Sequence, residues 1–134
     1  MASVARRAGR YDFPSFGVSR EEWKKYRLTA YLAIESGFAI GYASVIHVTK
    51  WQAWEWDKET PNEIGRFEGA LRPTVNMIFV CKAWRRKGIA TKIVRRVASD
   101  ASLDVGEIPW GPPFTEAGKA LAVSLRTDGI LLVG

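Results

Sequence analysis

The chain has 134 residues, 47% of them hydrophobic and 25% charged, which excludes a disordered chain and allows one domain with a modest core. Net charge is +6, yet Lys82–Arg96 alone holds seven cations and no acid, so the rest of the chain sums to about −1. The charge is local and points to a local anionic partner. A single cysteine, Cys81, excludes an internal disulfide framework and fits a reducing, cytoplasmic setting. No apolar run reaches the ~18 residues of a membrane span, and no h-region of a signal peptide follows the basic N-terminus.

In chain order, residues 1–18 read as a flexible arm, with Pro14 and Gly17 as breaks, and residues 19–134 as the domain. Ser19 with Glu22 three positions on is a capping-box signature for a short helix. Two β-rich runs, 27–35 and 38–48, flank Ser36-Gly37 and predict a hairpin. Residues 49–72, with Trp51, Trp54 and Trp56, read as a strand extension followed by a long surface loop. Residues 74–80 form an apolar strand candidate. From Gly88 to Asp100, Ile89, Ala90, Ile93, Val94, Val97 and Ala98 share one face of a helix. Residues 103–108 read as a short strand. Thr115 is a candidate N-cap for a last helix, 116–126, and 129–133 a final strand. The strand–helix–strand unit in the second half implies a parallel pair with a crossover, and the first half is antiparallel. The fold class is therefore α+β (mixed α/β), with a central mixed sheet in one domain.

The join between strand 74–80 and the helix concentrates chemistry. A helix N-terminus carries unpaired N–H groups and a positive partial charge. Gly88 lets a ligand approach the backbone, Ala90 keeps that approach clear, and the flanking Arg and Lys add full charges. The sum suits a phosphate or pyrophosphate. Neither the P-loop spacing nor the dinucleotide fingerprint G-x-G-x-x-G is present.

What stands here is Arg85-Arg86-Lys87-Gly88-Ile89-Ala90, or R-x-x-G-x-A, directly after "MIFVCKAW". This resembles the acyl-CoA-binding segment of the GNAT superfamily of N-acetyltransferases, and Val80, Arg85, Gly88, Ile89 and Ala90 match in type and spacing. The segment "PPFTEAGKALA", 112–122, is similar to the C-terminal part of the cohesion-type lysine acetyltransferases at Thr115, Gly118 and Lys119. It departs from them at Pro113, where that subfamily has an acidic residue. The resemblance covers residues 74–126. It implies a GNAT-like fold and an N-acetyltransferase that moves an acetyl group from acetyl-CoA to an amine by direct attack, without a metal. It also implies a CoA site. The backbone of Ile78, Phe79 and Val80 would pair with the pantetheine arm. The N–H groups of Arg86, Lys87, Gly88, Ile89 and Ala90 would hold the pyrophosphate, with Thr91 adding a hydroxyl, and basic side chains would meet the 3′-phosphate. A backbone N–H near Phe79 or Val80 would face the developing oxyanion.

An amine acceptor must lose a proton before attack. Glu63, Glu68 and Glu107 are candidate bases, and each reads equally as a solvated surface acid. The resemblance implies a Tyr in the last helix to protonate the leaving thiolate, but residues 115–134 contain none, so either Ser124 or Thr115 substitutes or the thiolate leaves unaided. One Cys and one His make no zinc cluster, and a Cys81–His47 nucleophilic pair has no further signature behind it. Lys92, Arg95 and Arg96, on the polar helix face, read as a solvated face or as nucleic-acid contacts. Two further readings stand beside the acyltransferase: a variant of the same fold modifying a nucleic-acid base or tRNA-borne amine, and a non-enzymatic basic binding module. The acceptor itself is not legible, since it would be framed by 49–72 and 109–115.

Overall fold

The computed structural model describes residues 3–8, 28–55, 62–111, 116–126, 128 and 130–134. Five strands form one sheet: β1 (Ser3–Ala8), β2 (Thr29–Glu35), β3 (Phe38–Glu55), β4 (Asn62–Val80) and β5 (Ile130–Val133). Two α-helices, α1 (Ile89–Asp100) and α2 (Glu116–Ser124), and two 3-10 turns complete the described elements. The strand order is β1-β2-β3-β4, all neighbours antiparallel, and β5 pairs with the far half of β3.

The predicted hairpin forms. Ser36 (φ 50°) and Gly37 (φ 82°) both lie in the left-handed region, as a two-residue hairpin turn requires. The arm expected over 1–18 is corrected at its start, because Ser3–Ala8 is a strand on the edge of β2. The helix expected after Ser19 and the N-cap expected at Thr115 lie outside the described residues. The expected surface loop within 49–72 is also corrected: β3 and β4 remain paired as far as Glu55↔Asn62. Three register shifts interrupt this long hairpin, and such bulges add bend and twist.

The strand expected at 103–108 is instead a 3-10 turn, Val105–Glu107, closed by a capping box between Asp104 and Glu107. The parallel pairing expected after the helix survives as single bridges one step later, Val75↔Trp110 and Trp110↔Val133. Val75 donates to Pro109 O at 3.0 Å and accepts from Gly111 N–H at 2.8 Å, so this short crossing fixes β4 at one point.

The core lies between one sheet face and α1. Ile89, Ile93, Val94, Val97 and Ala98 are buried against Tyr31, Ile40, Val45, Val75 and Leu131. Each buried Val or Ile contributes about 1.5–3 kcal/mol, which is what seats the helix. Its far end is tied down by polar bonds: Tyr31 Oη donates to Asp100 at 3.0 Å, and Arg96 donates to Asp100 at 2.9 Å and to Val4 O at 3.0 Å. No helix of the described residues is long and apolar enough to cross a membrane.

Candidate functional site

β4 is an edge strand of the sheet, and beyond Val75 its outer side opens. Val45 pairs with Val75 and Ser44 with Met77, so Asn76 is an inserted residue, and such a bulge bends the strand just past the 109–111 crossing. Cys81 N–H donates to Ile40 O at 2.7 Å, and Phe79 O faces Gly41. Backbone groups alternate along a strand, so those of Phe79 point to β3 and those of Ile78 and Val80 point outward. Gly41 makes this close pairing possible, because a Cβ there would sit 3.1 Å from Phe79 O.

The chain then turns sharply. Lys82–Trp84 is a single 3-10 turn, Arg86 sits at φ 64° and Gly88 at φ 76°, and α1 begins at Ile89. A left-handed Arg is unfavourable, so the loop is held in a shape its sequence would not choose. The first helical bond runs from Lys92 N–H to Gly88 O at 3.0 Å. The N–H groups of Ile89, Ala90 and Thr91 therefore have no acceptor within the helix, and no side chain caps the helix start. A Cβ on Gly88 would meet nothing within 4 Å, so the space before these donors is open.

The cations of the loop are individually placed. Arg85 Nε donates to the outward carbonyl of Val80 at 3.0 Å, and its guanidinium lies 5.6 Å from the Phe79 ring centre. Lys87 Nζ lies 5.0 Å over the Trp84 ring. Arg96 is engaged with Asp100 and Val4 O, which fastens α1 to β1, while Arg95 is exposed to solvent.

Strand edge, loop and helix start enclose a groove of about 730 Å³. Nine of the ten residues expected at a cofactor site line it: Ile78, Phe79, Val80, Arg85, Arg86, Gly88, Ile89, Ala90 and Thr91. Lys87 stands beside it, over Trp84. Three lining residues were missed by the sequence reading: Trp84, Gly118 and Leu121. Gly118 lay within the C-terminal resemblance and could have been found there. Trp84 and Leu121 carry no signal beyond being apolar.

The four candidate catalytic residues are not brought together. Glu63 and Glu68 lie on the far half of β4, Glu63 bonded to Arg66 and Glu68 opposite Lys50. Glu107 accepts from Asp104 N–H within its own turn. Ser124 donates to Leu121 O at 2.7 Å at the end of α2. None of them lines the groove, and no carboxylate does among the described residues. Nor do the described residues hold a group of three His, Cys, Asp or Glu able to bind a metal.

No protein-family model matches this sequence, and no curated protein does. Solved structures do match. The structure of the xEco2 acetyltransferase domain bound to a CoA conjugate superposes with a TM-score of 0.75 at 16% identity, covering 99% of this chain and 91% of that one. The aminoglycoside N-acetyltransferase AAC(6')-Iy in complex with CoA gives 0.53 at 13% identity, covering 93% and 88%. An aminoglycoside acetyltransferase, meta-AAC0020, from an uncultured soil metagenomic sample in complex with sisomicin, gives 0.52 at 13% identity, covering 93% and 87%. The chain therefore has the GNAT-like α+β fold of these acetyltransferases, with the xEco2 domain fitting better than the other two.

Proposed function

We propose that the protein is an acyl-CoA-dependent N-acyltransferase that moves an acetyl group from acetyl-CoA to an amine. The observation that carries this reading is the groove, in which an open strand edge and an uncapped helix start lie side by side. An amide-bearing arm needs the first and a pyrophosphate needs the second. Three solved acetyltransferases of the same fold, two of them holding CoA or a CoA conjugate, support it.

The chain's own groups have definable parts in this chemistry. Of the outward groups of Ile78 and Val80, the Ile78 C=O and one of the two N–H groups hydrogen-bond the pantetheine amides, Val80 O already accepting from Arg85. The free N–H groups of Ile89, Ala90 and Thr91, with the Gly88 turn, hold the pyrophosphate, and Arg86 and Lys87 neutralise phosphate charge. Acetyl-CoA, when bound, would supply the activated thioester. Because Phe79 N–H faces β3, the donor to the acyl oxygen is an outward N–H of Ile78 or Val80. As the amine attacks the carbonyl carbon, negative charge grows on that oxygen, and a donor fixed in a strand stabilises it without reorganising. The C–S bond then breaks and the thiolate leaves. With no carboxylate in the described groove, the ammonium proton passes to solvent water in this reading. We place the protein in the cytoplasm in this reading, which a single free cysteine supports only as being compatible with a reducing compartment.

Native mass spectrometry of the full chain with CoA, followed by a thiol-release assay over a panel of amines, tests this. A one-to-one CoA adduct and amine-dependent thiol release are expected. Absence of any CoA adduct overturns the proposal. A nucleic-acid acceptor would show as salt-dependent RNA or DNA binding that weakens in an R95A/K92A chain.

A further inference from the structure

The outer edge of β4 is open in two places, separated by the fixed point at Val75. One is the groove. The other is Asn62–Leu71, whose outward backbone groups meet no strand among the described residues. Soluble proteins protect such edges with Lys, Pro or a covering element. Here Pro61 and Pro73 bracket the stretch, and between them it carries the charges of Glu63, Arg66, Glu68 and Arg72 and two register shifts, but no Pro or Lys and no covering element among the described residues. Ile64, Phe67 and Leu71, all on this stretch, are exposed large apolar residues.

The sequence around Phe67 is complementary to itself. In an antiparallel pairing of two copies about a two-fold axis at Phe67, Arg66 of each copy falls opposite Glu68 of the other. Gly65 then falls opposite Gly69, and the regular pairing ends there, because Ile64 and 69–71 lie at register shifts of β4. Residues directly opposite share a sheet face. Within each chain Glu68 pairs with Lys50 and Arg66 with Gln52, so on one face the charges alternate in sign across the seam. On the other face Trp51 and Phe67 are stacked, with ring centres 6.4 Å apart and planes 21° apart, and the pairing extends this stack into the second copy. Register is selected as well. Sliding the copies by two residues in either direction sets Arg66 against Arg66 or Glu68 against Glu68.

We propose that Asn62–Leu71 is a homodimerisation edge through which two copies of this chain form one continuous sheet. The contact is isologous and closes after two copies. The ladder of β4 is unshifted only over Gly65–Glu68, so pairing about Phe67 supplies about four to six inter-chain backbone hydrogen bonds. Because Val75 separates this edge from Ile78–Val80, each groove stays open in the dimer.

The test uses the full chain in analytical ultracentrifugation over a concentration series, with two charge variants. The wild type is expected to be dimeric. Glu68→Arg alone and Arg66→Glu alone each place like charges across the seam twice, and each raises the dimer Kd on the order of 30-fold. Mixed in equal amounts, the E68R and R66E chains regain complementary pairs at both positions, so a heterodimer forms where neither variant dimerises well. That recovery also shows that both variants are folded. A wild type that stays monomeric at high micromolar concentration overturns the proposal. So does dimerisation undiminished in both variants, a mixture that remains monomeric, or assembly into open polymers.

Discussion

The two open stretches of β4 belong to one strand and present the same unmet backbone groups, yet only one lies in a groove. At Ile78–Val80 the edge faces an uncapped helix start and a turn with two left-handed residues, Arg86 and Gly88. At Asn62–Leu71 the edge faces solvent with both side-chain faces largely exposed. An open edge alone therefore specifies only another strand-like partner. In the proposed function, what suits the first stretch to an anion is the second element beside it, which supplies directed N–H groups and a cluster of cations, where the far stretch has Arg66 set among Glu63 and Glu68.

The largest effect that sharpens this contrast is expected from Gly88→Glu. A ligand at a hundredfold excess over its Kd stabilises the native state by about 2.7 kcal/mol. The substituted carboxylate occupies the open space before the helix donors and repels phosphate, so the CoA-induced rise in Tm should vanish. Circular dichroism checks that the chain still folds, since the left-handed backbone at position 88 penalises any side chain by about 1–2 kcal/mol. An undiminished CoA shift would mean that the strand edge suffices and that the loop is incidental.

Arg85→Ala asks how far the loop depends on being fastened to the strand. It removes the bond to Val80 O, and a charge-assisted bond of this kind matters by roughly 1.5 kcal/mol. CoA affinity measured by calorimetry should fall about tenfold. Arg66→Ala, on the far stretch, should leave it unchanged, and equal losses in the two would erase the distinction. Arg86→Gly should act in opposite senses on stability and binding. Relief of the left-handed residue gains about 1–2 kcal/mol, partly offset by about 0.4–1 kcal/mol of extra unfolded-state entropy. A Tm about 2 °C higher is expected, with weaker CoA binding from the lost cation. A fall in Tm would show that the Arg86 side chain holds the turn together.

The difference between the two stretches also explains what could be read in advance. The groove was legible because its residues carry local signals: an apolar strand, a glycine at the turn, and a 3.6-residue period from Ile89 to Val97 that the core enforces. The far hairpin was not, because a strand exposed on both faces has no alternation to detect. "NEIGRFEGALR" is strand because β3 pairs with it, a cause that lies outside the segment. Leu103, Val105 and Ile108 mimic a strand in spacing, yet Asp104 and Glu107, three apart, close a capping box and form a turn. That signature was present and was outweighed by the apolar period. Ser3–Ala8 is likewise a strand through the edge of β2, with no pattern of its own. The catalytic candidates rest on residue type and on chain position beside the apolar strands, and neither says which end of a curved hairpin a Glu occupies.

The smallest expected effect concerns the crossing that divides the two stretches. Residues 109–111 reach Val75 from the 3-10 turn at Val105–Glu107, and two arginines hold that turn. Arg72 donates to Glu107 O at 3.1 Å, and Arg126 donates to Gly106 O at 2.7 Å. Arg126 is oriented in turn by Asp128, through bonds of 3.0 and 2.7 Å, and Asp128 also accepts from Ile130 N–H at the start of β5. The Arg126 hydrogen bond, with a further contribution from Ile130 N–H, holds the Asp128 carboxyl down at about 2. A free Asp titrates near 3.9, so the folded state favours the ionised form. Its stabilisation is complete above about pH 4 and is lost as the pH falls towards 2. Asp128 is half-exposed, so water screens the pair and Asp128→Asn should lower Tm by about 1 °C or less at pH 7. The gap between wild type and variant should close as the pH falls from 4 to 2. A gap that persists at pH 2 would mean that the Asn loses something other than charge. Because the crossing is also bonded directly to Val75 and to Leu132, CoA binding and the oligomeric state should both survive the substitution, and loss of either would place the divide in this clip instead of in β4.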